Sequence, residues 1–234
     1  MNADGFGVGW YSEDATPGRY RDTYPAWNDT NLAEIAEHVR SPLFMAHVRA
    51  SSGTPVQRTN CHPFRFETWL FQHNGSIPAF ERVRRELLLS LDPALFPHIE
   101  GTTDTELLFF LALTHGLQAD PGPALERTVA RVESAVRSAS VDEALTFTVA
   151  VSDGTRLFAV RYASDGDAPS LYRSRHAHAL RVVDGSYEPL PDGAVLLVSE
   201  PLDELSEHWT EVAPRSFVTV HDGRVEVSGF EPRP

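Results

Sequence analysis

The stretch 145–162, LTFTVAVSDGTRLFAVRY, decides the fold. It reads as two strands, 145–152 and 157–162, rich in β-branched and aromatic residues and separated by Asp153-Gly154. Asp-Gly between two such runs is a tight hairpin signal, so the two strands are antiparallel. The pattern recurs downstream. Strands are expected at 170–173, 179–183, 194–199, 217–221 and 224–227, with Asp222-Gly223 joining the last two.

Upstream of the hairpin lies a helical block. Leu125, Val129, Val132 and Val136 have the spacing of one buried stripe on a helix over 121–138. A helix over 104–115 starts at Thr103 and Glu106, which stand at capping-box spacing, and Gly116 closes it. A third helix, 77–91, carries Phe80, Val83, Leu87 and Leu88 on one face. Earlier still come 4–11 (DGFGVGWY), a glycine-alternating strand against which something must pack closely, and a short helix at 28–39. A buried strand at 43–49 (LFMAHVR) precedes a polar loop running to Pro63. A further strand, 69–73, is expected to end at Asn74-Gly75. Strands, then helices, then many antiparallel strands argue α+β rather than a parallel βαβ array.

The chain has 234 residues, 41% hydrophobic and 23% charged, with formal net charge −13. An acidic surface of that size repels phosphate backbones, so nucleic acid is not an expected partner. The longest strongly apolar run, 107–113, falls far short of the roughly 20 residues of a membrane span. No basic region followed by an apolar stretch opens the chain, so no signal peptide is read there. The one cysteine, Cys61, makes no intrachain disulfide. Cytoplasm, with no membrane partner, is the expectation.

Four short stretches carry the candidate chemistry: His47-Val48-Arg49 at a strand end, Asn60-Cys61-His62-Pro63-Phe64 in a loop, His73-Asn74-Gly75 at a second strand end, and Thr102-Thr103-Asp104-Thr105-Glu106 at a helix start. Together they meet the demands of free glutamine. Its carboxylate wants a bidentate cation, best supplied by Arg49. Its ammonium wants a carboxylate, Asp104. Its attacked amide carbonyl becomes an oxyanion and wants fixed donors, Asn74 and the backbone of Gly75. One such donor is worth roughly 2.7–4 kcal/mol of barrier.

These stretches, in this order, resemble the class II, N-terminal-nucleophile glutamine amidotransferases. That family carries an H-x-R strand, an N-x-H-P loop, an H-N-G turn and a T-D-T/S-E helix start. The upstream DGFGVGWY and a late SEPL (199–202) resemble the stand-alone members, and the likeness covers nearly the whole chain. It implies a four-layer α/β/β/α sandwich of two mostly antiparallel sheets in one domain, 1–234. It implies Arg49 on the substrate carboxylate, Asp104 on its ammonium, and Asn74 and Gly75 as the oxyanion hole. No cofactor and no metal are implied. Glutamine or a γ-glutamyl small molecule is the implied ligand, and a separate ammonia-accepting synthase is a further implied partner.

In the family the nucleophile is an N-terminal cysteine whose own α-amine is the general base. This chain begins Met1-Asn2-Ala3-Asp4. The expectation is that a segment with the nucleophile and the first strand precedes it. Without that segment the chain would be inactive, and the alternative is a non-catalytic glutamine- or γ-glutamyl-binding regulatory domain. Cys61 reads as a small buried hydrophobe rather than a replacement nucleophile. His47, His62, His73 and Cys61 fit no familiar zinc spacing. Gly5-x-Gly7-x-Gly9 lacks the dinucleotide spacing. Trp27 and Tyr24-Pro25 read as surface packing, and His176 and His178 as solvated.

Overall fold

The structure is a computed structural model, and it describes residues 3–14, 16–50, 53–175 and 190–233. The strand expected at 179–183, His176 and His178 lie outside the described residues.

The hairpin forms as expected. β6 (Thr146–Ser152) and β7 (Arg156–Ala163) pair antiparallel, Ser152 opposite Leu157. The Asp153 carboxylate organises the turn by accepting from the backbone N–H of Thr155 at 2.9 Å and Arg156 at 2.8 Å. The hairpin is the centre of a six-stranded sheet with order β12-β11-β7-β6-β5-β4. The other strands are β4 (Phe64–Phe66), β5 (Trp69–Ser76), β11 (Ser216–His221) and β12 (Arg224–Gly229). Asp222 and Gly223, with φ of 48° and 71°, form the left-handed two-residue turn that suits the sheet twist.

Three helices follow β5 and precede β6: α2 (Phe80–Leu88), α3 (Asp104–Thr114) and α4 (Pro121–Ser138). They share one core with the six-stranded sheet, built from Phe71, Phe109, Leu111, Leu125, Val129, Val132 and Phe147 among others. The predicted stripe of α4 is buried throughout. Every residue of α3 from Thr105 to Leu113 is buried, so this helix lies inside the fold rather than on it. Thr103 caps it, accepting from Glu106 N–H at 3.2 Å. The reciprocal half of the capping box is replaced: the Glu106 carboxylate accepts from Glu100 N–H and Gly101 N–H instead.

A second sheet, β2-β1-β3, is made of β1 (Phe6–Trp10), β2 (Gly18–Asp22) and β3 (Phe44–Val48), all antiparallel. It packs on the opposite face of the large sheet, where Met45 and Tyr11 meet Leu70. The glycines of β1 permit this approach. A Cβ on Gly7 would lie 2.0 Å from the His62 carbonyl oxygen, and one on Gly9 would lie 2.7 Å from Leu70. α1 (Thr30–His38) is tied to the outer face of this sheet through its cap, Asp29, which accepts from the Tyr20 hydroxyl at 2.9 Å. The order of layers is therefore helix, sheet, sheet, helices.

Two expectations are adjusted. A third, small sheet exists, β10-β8-β9, from β8 (Tyr172–Ser174), β9 (Leu197–Val198) and β10 (Trp209–Glu211). It is joined to β7 by Arg161, which is buried and pairs with Glu211 at 2.7 Å. And β5 does not stop at His73: Asn74 and Gly75 remain paired, opposite Thr148 and Phe147. The long register with β6 carries the strand past a residue pair that alone would favour a turn. Among the described residues no helix is long and apolar enough to cross a membrane.

Candidate functional site

The site is assembled where the two large sheets meet. Strand alternation places Met45, His47 and Arg49 on the inner face of β3, because Met45 packs against Leu70 of the other sheet. The same alternation places Gln72 and Asn74 of β5 on the face of Leu70, opposite β3. Arg49 and Asn74 thus project into the same intersheet layer from its two sides.

Arg49 is buried and engaged. Its guanidinium donates to the Thr54 hydroxyl at 2.6 Å, to Pro55 O at 3.4 Å and to Asp4 O at 3.3 Å. These contacts hold the loop after β3. Asn60, fully buried, ties that loop to the start of α3. Its amide nitrogen donates to Pro55 O and Thr102 Oγ1, and its oxygen accepts from Thr102 N–H at 2.9 Å. Glu106 holds the same start from within, at 2.9 and 2.7 Å from Glu100 N and Gly101 N. Burial pushes its carboxyl above the usual range.

Asp104, the first residue of α3, has both carboxylate oxygens oriented by backbone N–H groups. Oδ1 accepts from Thr105 at 2.8 Å, and Oδ2 accepts from Ile77 at 2.9 Å. Ile77 is two residues past Gly75, so Asp104 and the Asn74–Gly75 pair are neighbours through that bond. Asn74 is exposed, and its side-chain amide has no hydrogen-bond partner among the described residues. Gly75 has φ 155°, and a Cβ there would lie 2.2 Å from the Thr146 carbonyl oxygen, so only glycine fits.

Three buried histidines lie near these residues: His47 and His62 feel the charge of Arg49, and His73 that of Asp104. The rings of His47 and His62 are 4.1 Å apart between the sheets. His73 lies on the helix side of β5. Desolvation holds all three rings in the neutral form, and their mutual repulsion and the Arg49 charge add to it at His47 and His62. His47 is pushed down to about 4, His62 lies well below its ordinary value, and His73 is lowered despite the opposing pull of Asp104. The buried side-chain polar atoms left without a partner are Nδ1 of His47, Nδ1 of His62 and Oε1 of Gln72, among the described residues. No three His, Cys, Asp or Glu side chains there converge as a metal-binding group.

Cys61 is a packed thiol. It is fully buried, contacts Asp22 O at 3.3 Å and Gln57 O at 3.7 Å, and burial pushes its thiol up. Nothing about it resembles an exposed, activated nucleophile.

Sequence reasoning assigned no role to Asn60 or Thr105, read Glu106 only as a capping-box partner of Thr103, and read His73 as packed or hydrogen-bonded at a strand end. Each lies inside one of the four motifs, and each proves to be a bracing residue. For His73 and Thr105 the signal was the adjacent candidate, Asn74 and Asp104, whereas the motif of Asn60 holds no candidate ligand residue.

The whole chain, residues 1–234, matches the family described as Glutamine amidotransferases class-II. The probable glutamine amidotransferase DUG3 of Saccharomyces cerevisiae is 34% identical over 252 aligned residues, 94% of this chain and 70% of that protein. The gamma-glutamyl-hercynylcysteine sulfoxide hydrolase of Mycolicibacterium smegmatis is 29% identical over 229 residues, 97% of this chain and 82% of that one. A solved glutamine aminotransferase class-II domain protein from Silicibacter pomeroyi superposes with a TM-score of 0.81 at 37% identity, covering 97% of this chain and 92% of that chain. The chain belongs to the class II glutamine amidotransferases. Its fold is the N-terminal-nucleophile α+β arrangement of that family.

Proposed function

We propose that this domain binds glutamine, or a small γ-glutamyl compound, and presents its side-chain amide for cleavage. Arg49 meets the α-carboxylate, Asp104 meets the α-ammonium, and Asn74 with the backbone N–H of Gly75 receives the carbonyl oxygen. The observation that carries this reading is the bond from Ile77 N–H to Asp104. It sets a carboxylate held in a fixed orientation beside an exposed asparagine amide that has no hydrogen-bond partner among the described residues. The likeness to a γ-glutamyl hydrolase supports the γ-glutamyl class of ligand.

The chemistry proposed is that of the family. A cysteine thiolate at a chain terminus attacks the amide carbon, and its electrons pass to the oxygen held by Asn74 and Gly75. The tetrahedral adduct collapses by expelling the amine, which takes the proton the α-amine removed from the thiol. Water then cleaves the thioester and frees a carboxylate. Cys61, buried and packed, is not this nucleophile. Released ammonia would pass to a separate synthase or to solution. Without such a cysteine the domain is a glutamine- or γ-glutamyl-responsive regulator.

Two measurements test the reading. Calorimetry on the 234-residue chain should show glutamine or glutamate binding that Arg49→Ala removes. The full upstream reading frame, if it supplies Met-Cys, should release glutamate from glutamine or a γ-glutamyl amide. Failure of the folded chain to bind glutamine, glutamate or a γ-glutamyl dipeptide would sink the proposal. Binding without turnover in the full reading frame would select the regulatory reading.

A further inference from the structure

The geometry points to His73 as a positioning residue that sets the oxyanion turn and the ammonium-binding carboxylate relative to each other. This deepens the proposed function and rests on it for the ligand.

The imidazole is 3% exposed and its two nitrogens are both engaged. Nε2 lies 3.0 Å from the Thr146 carbonyl oxygen, and Nδ1 lies 3.1 Å from Thr105 Oγ1. A carbonyl oxygen only accepts, so Nε2 carries the proton. In a neutral ring Nδ1 is then an acceptor, and the Thr105 hydroxyl must donate to it. The tautomer follows from the partners.

Each arm reaches a different part of the site. Thr146 faces Ser76 across the ladder and accepts from its N–H with its own hydroxyl at 2.9 Å. Thr146 therefore links the His73 ring to the backbone just after Gly75. That ring passes so near Gly75 that a Cβ there would lie 2.5 Å from Nε2. On the other arm, Thr105 directly follows Asp104, and its N–H donates to Asp104 Oδ1. Its hydroxyl is 3.5 Å from the same oxygen but has its one proton on His73. The hydroxyl therefore ties the helix start that carries Asp104 to the ring, and without that tie the start is free to shift against the strand end that carries Asn74–Gly75 and Ile77. One neutral ring thus braces the strand that carries Asn74–Gly75 and the helix start that carries Asp104. Phe147, with ring centroid 5.7 Å away, fills its side.

The test uses Thr105→Val, which removes only the hydroxyl, and His73→Gln, whose amide can still reach Thr146. The probes are L-glutamine and glutaric acid monoamide, which lacks the α-ammonium. Thr105→Val is expected to weaken glutamine binding roughly tenfold and glutaric acid monoamide less than about twofold, since only the ammonium contact is misaligned. His73→Gln should show the same preference. Equal losses for both ligands, or none, would overturn the proposal by reducing His73 to general packing. A second readout needs no ligand. Imidazole nitrogen NMR should report an Nε2–H tautomer for His73, and the Ile77 amide should shift in Thr105→Val through the reoriented Asp104. An unmoved Ile77 amide or an Nδ1–H tautomer overturns the positioning role directly. A shifted Ile77 amide in a protein that binds neither probe supports the brace and removes the glutamine reading instead.

Discussion

The two faces of the six-stranded sheet are filled by different chemistry. On the helix face, Phe71, Phe109, Phe147, Leu111 and Val129 make a continuous apolar core, with rings stacked as close as 5.2 Å for Phe71 and Phe109. On the other face the apolar contact is split into two smaller clusters, Met45 and Tyr11 with Leu70, and Ala159 and Val218 with Leu171 and Val212. Where β1 and β3 cover it, the layer holds glycine backbone, the neutral imidazoles of His47 and His62, Arg49 and Gln72. Every buried side-chain atom without a partner, among the described residues, belongs to this second layer. One face is built for stability and the other retains polarity at a cost, as sites commonly do.

The largest effect that would break this division is in the first layer. Phe109 is fully buried and stacked, so Phe109→Ala is expected to cost about 3–5 kcal/mol through lost transfer energy and a residual cavity. Urea unfolding measures it. Glutamine affinity of the fraction that remains folded should change little, because Phe109 belongs to the apolar layer, stacked on Phe71. A large loss of affinity alongside intact folding would mean the two layers are not separable.

The next effect belongs to the intersheet layer and is read by pH. An unfolded histidine takes up a proton near pH 6.5, whereas folded His47 does so only at about 4. His62 and His73 are shifted the same way. Between those values the unfolded chain binds more protons than the folded one, so stability must fall as pH falls through the window. For His47 alone the loss would be on the order of 3 kcal/mol across the window. Unfolding free energy measured from pH 7.5 to 4.5 should therefore decline, and His47→Gln should flatten the slope. A slope unchanged by that variant would assign the acid sensitivity to carboxylates elsewhere.

The same contrast explains what could be read from the sequence. The first layer was legible because apolar periodicity encodes it directly: the stripe Leu125, Val129, Val132 and Val136 predicts helix α4, and 145–162 predicts the central hairpin. In β1 the glycines announced close packing, and the structure shows against what: the His62 carbonyl and Leu70. The turn expected at Asn74-Gly75 failed because turn propensity is local, whereas the pairing of Asn74 with Thr148 and of Gly75 with Phe147 is set by a strand far along the chain. The strands β2, β4 and β10 were missed for a related reason. They are three to five residues long and are defined by their partners more than by their own composition. Arg49, Asn74, Gly75 and Asp104 were found through motif order, but the bracing roles of Asn60, His73 and Glu106 need three-dimensional partners to be seen.

The smallest expected effect sharpens the comparison where the two chemistries adjoin. Glu106 sits on α3, among the apolar residues of the first layer, yet its carboxylate reaches out to the loop at Glu100 and Gly101. Both its oxygens accept backbone N–H bonds, at 2.9 and 2.7 Å. Glu106→Gln keeps the shape but turns one acceptor into an NH2 group that faces an N–H donor. One of the two bonds is lost, and a donor is left facing a donor, which costs about 1–3 kcal/mol when buried. The raised carboxyl pKa offsets part of this, since the native charged form already bears a desolvation cost that glutamine does not. The net destabilisation should therefore fall near the lower end, about 1 kcal/mol. Because the loop it holds also binds Asn60 through Thr102, glutamine affinity should drop measurably in calorimetry while the α-helical circular dichroism stays constant. A variant that loses stability but binds glutamine normally would confine Glu106 to the apolar layer and detach the loop at 100–102 from the site.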